Sequence, residues 1–112
     1  MREPWRDSKA LKNVVDKFYE VVILDNERNK RLAKCIEENE IKEMQSRYNT
    51  LWWNDAVTLV IMEKILGVNH FSEAVFSQFI NLTNNKLIEI IDYGIKNYNV
   101  RNKLNKLESD FT

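Results

Sequence analysis

Apolar residues recur along this chain at steps of three and four, the spacing of one face of an α-helix. The first such segment covers residues 9–26, and Asp7 or Ser8 is in place to cap its start. Asp25 and Asn26 mark its end. We therefore expect an amphipathic helix here. Its apolar stripe consists of Leu11, Val14, Val15, Phe18, Val22 and Ile23.

The next segment, from Arg28 to Tyr48, has a thin apolar stripe and many charges, which predicts one long and mostly solvated helix. Its charge order is unusual, because basic residues come first and acidic residues follow. The helix dipole favours the opposite order within a single helix. The basic residues are Arg28, Lys30, Arg31 and Lys34, and the acidic ones are Glu37, Glu38, Glu40 and Glu43.

The stretch YNTLWWNDAVTLVIMEKILG, from Tyr48 to Gly67, is the most apolar helix candidate. Thr50 can cap it, and Gly67 suits the left-handed position after a helix. Its apolar residues lie along two lines roughly 100° apart, so several neighbours can cover it. We expect residues 50–66 to form the central helix, with Trp53 in the core. The first line is Trp53, Ala56, Val57 and Val60, and the second is Trp52, Leu59 and Leu66.

Two further helices complete the expected bundle. Ser72 can begin a short helix rich in phenylalanine, and Thr83 or Asn84 can cap the last one. We expect a kink or break near Asn97 and Asn99–Asn102, because asparagine is a poor helix former. The prediction is an all-α fold, a single helical domain over residues 1–112 with about five helices, four long and one short. The last apolar stripe is Leu87, Ile88, Ile91, Ile95 and Tyr98, extended by Leu104, Leu107 and Phe111.

Composition narrows the classes of function. The chain has 17 basic and 17 acidic residues, so it lacks the basic excess of a typical nucleic-acid binder. Cys35 and His70 are the only cysteine and histidine, and these two alone cannot form a disulfide or a zinc site. We expect no cofactor and no metal. With no leader-like start and no bilayer-length apolar run, a cytoplasmic protein with no membrane partner is expected.

The second apolar line of the central helix is the candidate partner-binding surface. It comprises Trp52, Leu59 and Leu66, with Asp55 beside it. Tryptophan is enriched in binding hot spots because it buries a large area and keeps a hydrogen-bond donor. The alternative is that both indoles are core residues. Asp55 is interpreted as a first-turn acid that the helix N-terminus favours, since the sequence names no partner for catalysis.

Two pairs of carboxylates are candidates for a metal-binding site. Glu37 with Glu40, and Glu89 with Asp92, are each spaced to share a helix face and could hold Mg²⁺. The combination resembles in kind that of the all-helical nucleoside triphosphate pyrophosphohydrolases, which implies Mg²⁺-dependent nucleotide hydrolysis. The layout differs, because two other predicted helices separate the pairs. No catalytic residue is assigned.

Nucleic-acid binding is a further alternative. The turn at Gly67 outlines a helix-turn-helix, but the second helix would carry no Lys or Arg, which phosphate and base contacts need. Basic residues instead collect at Arg28–Lys34 and at Lys96–Lys106.

The favoured hypothesis is a small non-enzymatic protein of bacterial or phage type that acts through protein–protein interaction, with a homodimer expected. A regulator using Lys96–Lys106 and the Mg²⁺ hydrolase are the alternatives.

Overall fold

A computed structural model describes residues 4–48 and 51–110, with side chains described as far as Arg101. All regular structure in these residues is helical, which confirms the all-α prediction. No helix in the described ranges is both long and apolar enough to cross a bilayer. Two helices, α1 and α4, continue into π-helical segments. The bounds are α1 Lys9–Phe18, the first π segment Tyr19–Ile23, α2 Asn26–Ala33, α3 Glu38–Arg47, α4 Trp53–Val60, the second π segment Ile61–Ile65, α5 Glu73–Ile80 and α6 Asn84–Asp110.

Short polar side chains begin three of these helices, as the sequence predicts. The hydroxyls of Ser8, Ser72 and Thr83 each accept a hydrogen bond from the backbone N–H three residues later. Such a bond satisfies a donor that the first helical turn leaves without a partner. The predicted cap Thr50 lies outside the described residues. Helix α4 starts directly after Trp52, whose backbone is extended.

The segment predicted as one long helix is two helices, α2 and α3. The chain turns after Ala33, and the backbone N–H of Glu37 donates to Glu40 Oε1 at 3.0 Å at the start of α3. The break removes the anomaly in charge order. Lys30 and Arg31 fall in the last turn of α2, and acidic residues fall in the first turn of α3. Both helices therefore have charges that complement their dipoles.

Each π segment lengthens the hydrogen-bonded turn at the end of its helix. The N–H of Leu24 donates to the carbonyl of Tyr19, and that of Leu66 to the carbonyl of Ile61, both at 3.1 Å. Gly67 then has a φ of +74°, which confirms its predicted left-handed conformation. A π turn uses more residues than an α turn. The residues that follow are therefore rotated away from the face an α-helix would give them.

Helix α4 and the second π segment lie at the centre of the core, as predicted. Helices α1 and α3 pack against α4, α5 packs against α1, and α6 crosses both π segments and α2. The buried apolar side chains form one contiguous cluster. The central contribution comes from Ala56, Leu59, Val60, Ile61, Met62 and Ile65.

Trp5, which the hydrophobic pattern did not single out, is a core residue. Its indole is buried and makes edge-to-face contacts with Tyr48, Phe71 and Phe76, with ring centroids 4.9, 5.7 and 5.6 Å away. Such aromatic pairs contribute about 0.5–1.5 kcal/mol each beyond area burial. The chain before α1 is thereby held against the start of α5.

Helix α6 is continuous from Asn84 to Asp110, so the prediction of a break near Asn97–Asn102 is wrong, and the alternative of a kink stays a prediction. Helix propensity is a weak preference that tertiary contacts override. Leu87, Ile91 and Ile95 are buried as predicted. The side chains of Leu104 and Leu107, and the whole of Phe111, lie outside the described part of the chain.

The side chain of Lys17 in α1 caps the C-terminal end of α5. Its ammonium donates to the carbonyl of Ile80 at 2.7 Å and also to the carbonyl of Leu82. The last carbonyls of a helix have no partner within the helix and carry partial negative charge. Lys17 therefore joins α1 to α5 by a polar contact in addition to their apolar packing.

Candidate interaction surfaces

Three aromatic side chains near the start of α4 and directly after α1 are exposed, and we call them the aromatic face. Trp52 is 82% exposed, Trp53 43% and Tyr19 42%. Trp52 shares an open groove with Lys12 and Asp16 of α1. Tyr19, the first residue of the first π segment, lines a small cavity with Asn54 and Val57 of α4. The aromatic face therefore has polar and charged groups around it.

The placement of Trp53 in the core is wrong. Ala56 and Val60, on the same helical line, are buried, whereas Trp53 is almost half exposed. Trp53 is the first residue of α4, so it lies at the end of its line, where the other helices cover it less than they cover Ala56 and Val60. Trp52, which precedes the helix, projects further still.

The predicted line of Trp52, Leu59 and Leu66 does not form one exposed surface. Leu59 is fully buried, and Leu66 is partly buried against the core. The seven-residue spacing assumed a continuous α-helix. In the structure Trp52 lies before the helix, and Leu66 follows the second π segment, which changes its direction. Of these three residues, Trp52 is the most exposed candidate for contact with a partner, Leu59 is removed by its burial, and Leu66 lines an open groove beside α6.

Asp55 lies beside the aromatic face and is half-buried. Burial raises the pKa of Asp55, the nearby Asp16 carboxylate raises it further, and Arg6 acts in the opposite direction. Its neighbour Thr58 is buried, and the Thr58 hydroxyl donates to the carbonyl of Asn54 at 3.0 Å. The polar residues of early α4 thus make local contacts beside the aromatic face.

The cavity lined by Tyr19 is too small for an organic ligand. Its volume is about 10 Å³, close to the space that one water molecule occupies. The cavity beside Tyr19 therefore admits no partner group, whereas the groove beside Trp52 is open to solvent. Large aromatic anchors with a polar rim are the usual composition of a protein-binding surface.

A second exposed apolar surface runs along α6. Tyr93 is 65% exposed, Val100 is 49% exposed, and Ile90 and Asn97 lie on the same side of the helix. Tyr93 lines two open grooves, of about 510 and 600 Å³. We call Ile90, Tyr93, Asn97 and Val100 the α6 ridge. The sequence analysis missed it, although the alternating steps of three and four between these residues were a visible signal.

The carboxylate pairs do not converge. No group of three or more His, Cys, Asp or Glu side chains in the described residues is placed to hold a metal. Lys64 Nζ donates to Glu40 Oε1 at 2.6 Å, and Glu89 lies 3.7 Å from Lys86. Asp92 accepts from Arg28 at 2.9 Å. Three of the four carboxylates therefore form ion pairs with lysine or arginine.

Arg28 is buried, and its hydrogen bonds stabilise the fold. Its guanidinium donates to the carbonyl of Val21 at 2.7 Å, to Asp92 at 2.9 Å and to Asp25 at 3.0 Å. The Asp92 hydrogen bond raises the pKa of Arg28. Arg31 also pairs with Asp92, at 3.5 Å. The predicted basic cluster at Arg28–Lys34 is therefore partly occupied by ion pairs.

Cys35 is a buried core residue. Burial raises the pKa of the Cys35 thiol, which disfavours the reactive thiolate. Its Sγ lies 3.5 Å from the carbonyl oxygen of Arg31. His70 is exposed in the turn before α5.

No protein-family model matches this chain, and no similar curated protein or solved structure was found. The fold and the two surfaces are therefore the basis for the proposals that follow.

Proposed function

We propose that this chain is a small, non-enzymatic helical protein that acts through protein–protein contact and self-associates. The observation that carries the proposal is Trp52, which is 82% exposed and is followed in the chain by Trp53, itself 43% exposed. Covering an indole of roughly 200 Å² would contribute about 5 kcal/mol at 25 cal/mol/Å². Association entropy offsets part of this gain. A tryptophan in this position is therefore a strong anchor for a partner protein.

The order of charges over Arg28–Tyr48 does not support pairing between two copies, because that segment is two helices, each with charges suited to its own dipole. The exposed apolar residues support the proposal. They include the aromatic face and the α6 ridge, and one further residue, Leu24, that belongs to neither. One surface can therefore bind a second copy while the other binds a different partner.

Sedimentation velocity across the micromolar range tests self-association. We expect the mean sedimentation coefficient to rise with protein concentration, because apolar contact between copies obeys mass action. A single monomeric species over the whole range would contradict the proposal.

Photo-cross-linking tests the aromatic face. A photoreactive residue at Trp52 is expected to form a covalent adduct with a protein partner, which mass spectrometry can identify. The same residue at Glu73, an exposed position of α5, is the matched control and is expected to form no such adduct. Equal yields at the two positions would show that the aromatic face is not a specific contact.

A further inference from the structure

The α6 ridge has the spacing of a coiled-coil seam. From Ile90 to Val100 its residues follow steps of three, four and three, and in the sequence Leu104 and Leu107 continue the same pattern. These are the a and d positions of a heptad repeat. The backbone is helical over the whole interval, since α6 extends to Asp110. The α6 ridge is thus a helix face suited to pairing with another helix.

The surroundings of the α6 ridge leave room for such a helix. The core side of α6 is formed by Leu87, Ile91 and Ile95, which lie on a different face from Tyr93 and Val100. Open grooves run along both sides of Tyr93. A helix packed against the α6 ridge would therefore contact an exposed row of side chains with a groove on each side.

Asn97 indicates what kind of helix can pair with the α6 ridge. It holds an a position between apolar residues, and it is exposed. A polar residue buried against an apolar partner loses its hydrogen bonds to water and costs about 1–3 kcal/mol. In a parallel, in-register pair of identical helices, Asn97 meets the partner's Asn97 and each satisfies the other. One asparagine at an a position is known to set register and oligomeric state in this way.

We propose that α6 pairs with α6 of a second copy of this chain, parallel and in register along the α6 ridge. The inference rests on the proposed self-association and names its surface. Flanking charges do not favour the pairing, because in this register Lys96 is placed near the partner's Arg101, which repels it. Apolar contact and the asparagine pair provide the affinity and the register.

Disulfide trapping tests the register directly. In a Cys35→Ser background, Asn97→Cys would bring two cysteines opposite each other at an a position. Mild oxidation is expected to convert most of this variant to a covalent dimer. Asn85→Cys, on an exposed position of α6 outside the ridge, is the control and is expected to stay monomeric under the same conditions.

Charge introduction tests the surface without a cross-link. Val100→Asp is expected to weaken self-association at least about tenfold, since it places an acid in the contact. Leu24→Asp makes the same kind of change at another exposed apolar residue, and it is expected to leave association unchanged. Asn97→Val is expected to tighten association and to admit further orientations, because the register signal is lost.

The outcomes separate the two proposals. Dimers that form normally in Val100→Asp, with no trapping at position 97, would overturn the α6 pairing and leave self-association intact. Equal trapping at positions 85 and 97 would also overturn the pairing. A wild-type chain that sediments as a monomer throughout would overturn the proposed self-association itself.

Discussion

Replacement of Gly94 by alanine tests the closest approach between two helical elements. Alanine in a helix interior is normally worth about 1 kcal/mol more than glycine. Here a Cβ at position 94 would lie 2.7 Å from Ile65 Cγ2 and 2.8 Å from the Ile65 carbonyl oxygen. A backbone oxygen cannot move by a change of rotamer, so α6 must shift away from the second π segment. Overpacking of this kind costs about 2–3 kcal/mol, so we expect a net loss of about 1–2 kcal/mol.

Urea unfolding followed by circular dichroism measures this change. For a chain of this length the loss corresponds to a fall in Tm of about 4–8 °C. In an Ile65→Ala background the side-chain part of the clash is absent, so Gly94→Ala is expected to cost less there. Gly67→Ala is the control, because its Cβ would meet no atom within 4 Å and only the positive φ opposes it. A Gly94→Ala variant more stable than the wild type would refute the close packing.

Three further changes test the polar contacts. Arg28→Met is expected to reduce the free energy of unfolding by about 2 kcal/mol, because the Val21 carbonyl stays buried without its donor; an unchanged urea midpoint would contradict this. Lys17→Met keeps the apolar stem but removes the donor to the end of α5, and a loss of about 1 kcal/mol is expected in the same assay. For Glu40, burial works to raise the pKa, but the hydrogen bonds from Lys64 and from the Glu37 backbone outweigh it and hold the pKa below its usual range. The stability from this carboxylate is therefore present above the ordinary glutamate pKa and is lost as pH falls through the lowered value. Glu40→Gln should be less stable by about 1 kcal/mol at pH 7, and the difference should shrink as pH falls through the lowered pKa of Glu40; a difference that does not change as the pH is lowered would refute the role of the charge.

The sequence predicted the helical class and several boundaries because these depend on local chemistry. Ser8, Ser72 and Thr83 cap helices through their own short side chains, and Gly67 adopts a positive φ that other residues resist. The break between α2 and α3 was also visible, as a charge order that one helix dipole would oppose. It was missed because the segment contains no glycine or proline to mark the turn.

The candidate surfaces were harder to predict, since exposure depends on neighbours distant in sequence. Nothing local distinguishes Trp5, which three aromatic rings cover, from Trp52, which extends before α4. The second π segment rotates Leu66 away from the line that a regular helix would give.

The amino-acid sequence by itself therefore determined that the chain folds into helices, where most of them begin, and which stripes are apolar. Tertiary structure decided which apolar stripes are covered. Leu59 is buried in the core, whereas Trp52, Tyr93 and Val100 are exposed. The physical reason is that hydrophobic burial is non-directional. Periodicity shows that a face is apolar, but only the packed arrangement of the helices shows whether another part of the chain covers it.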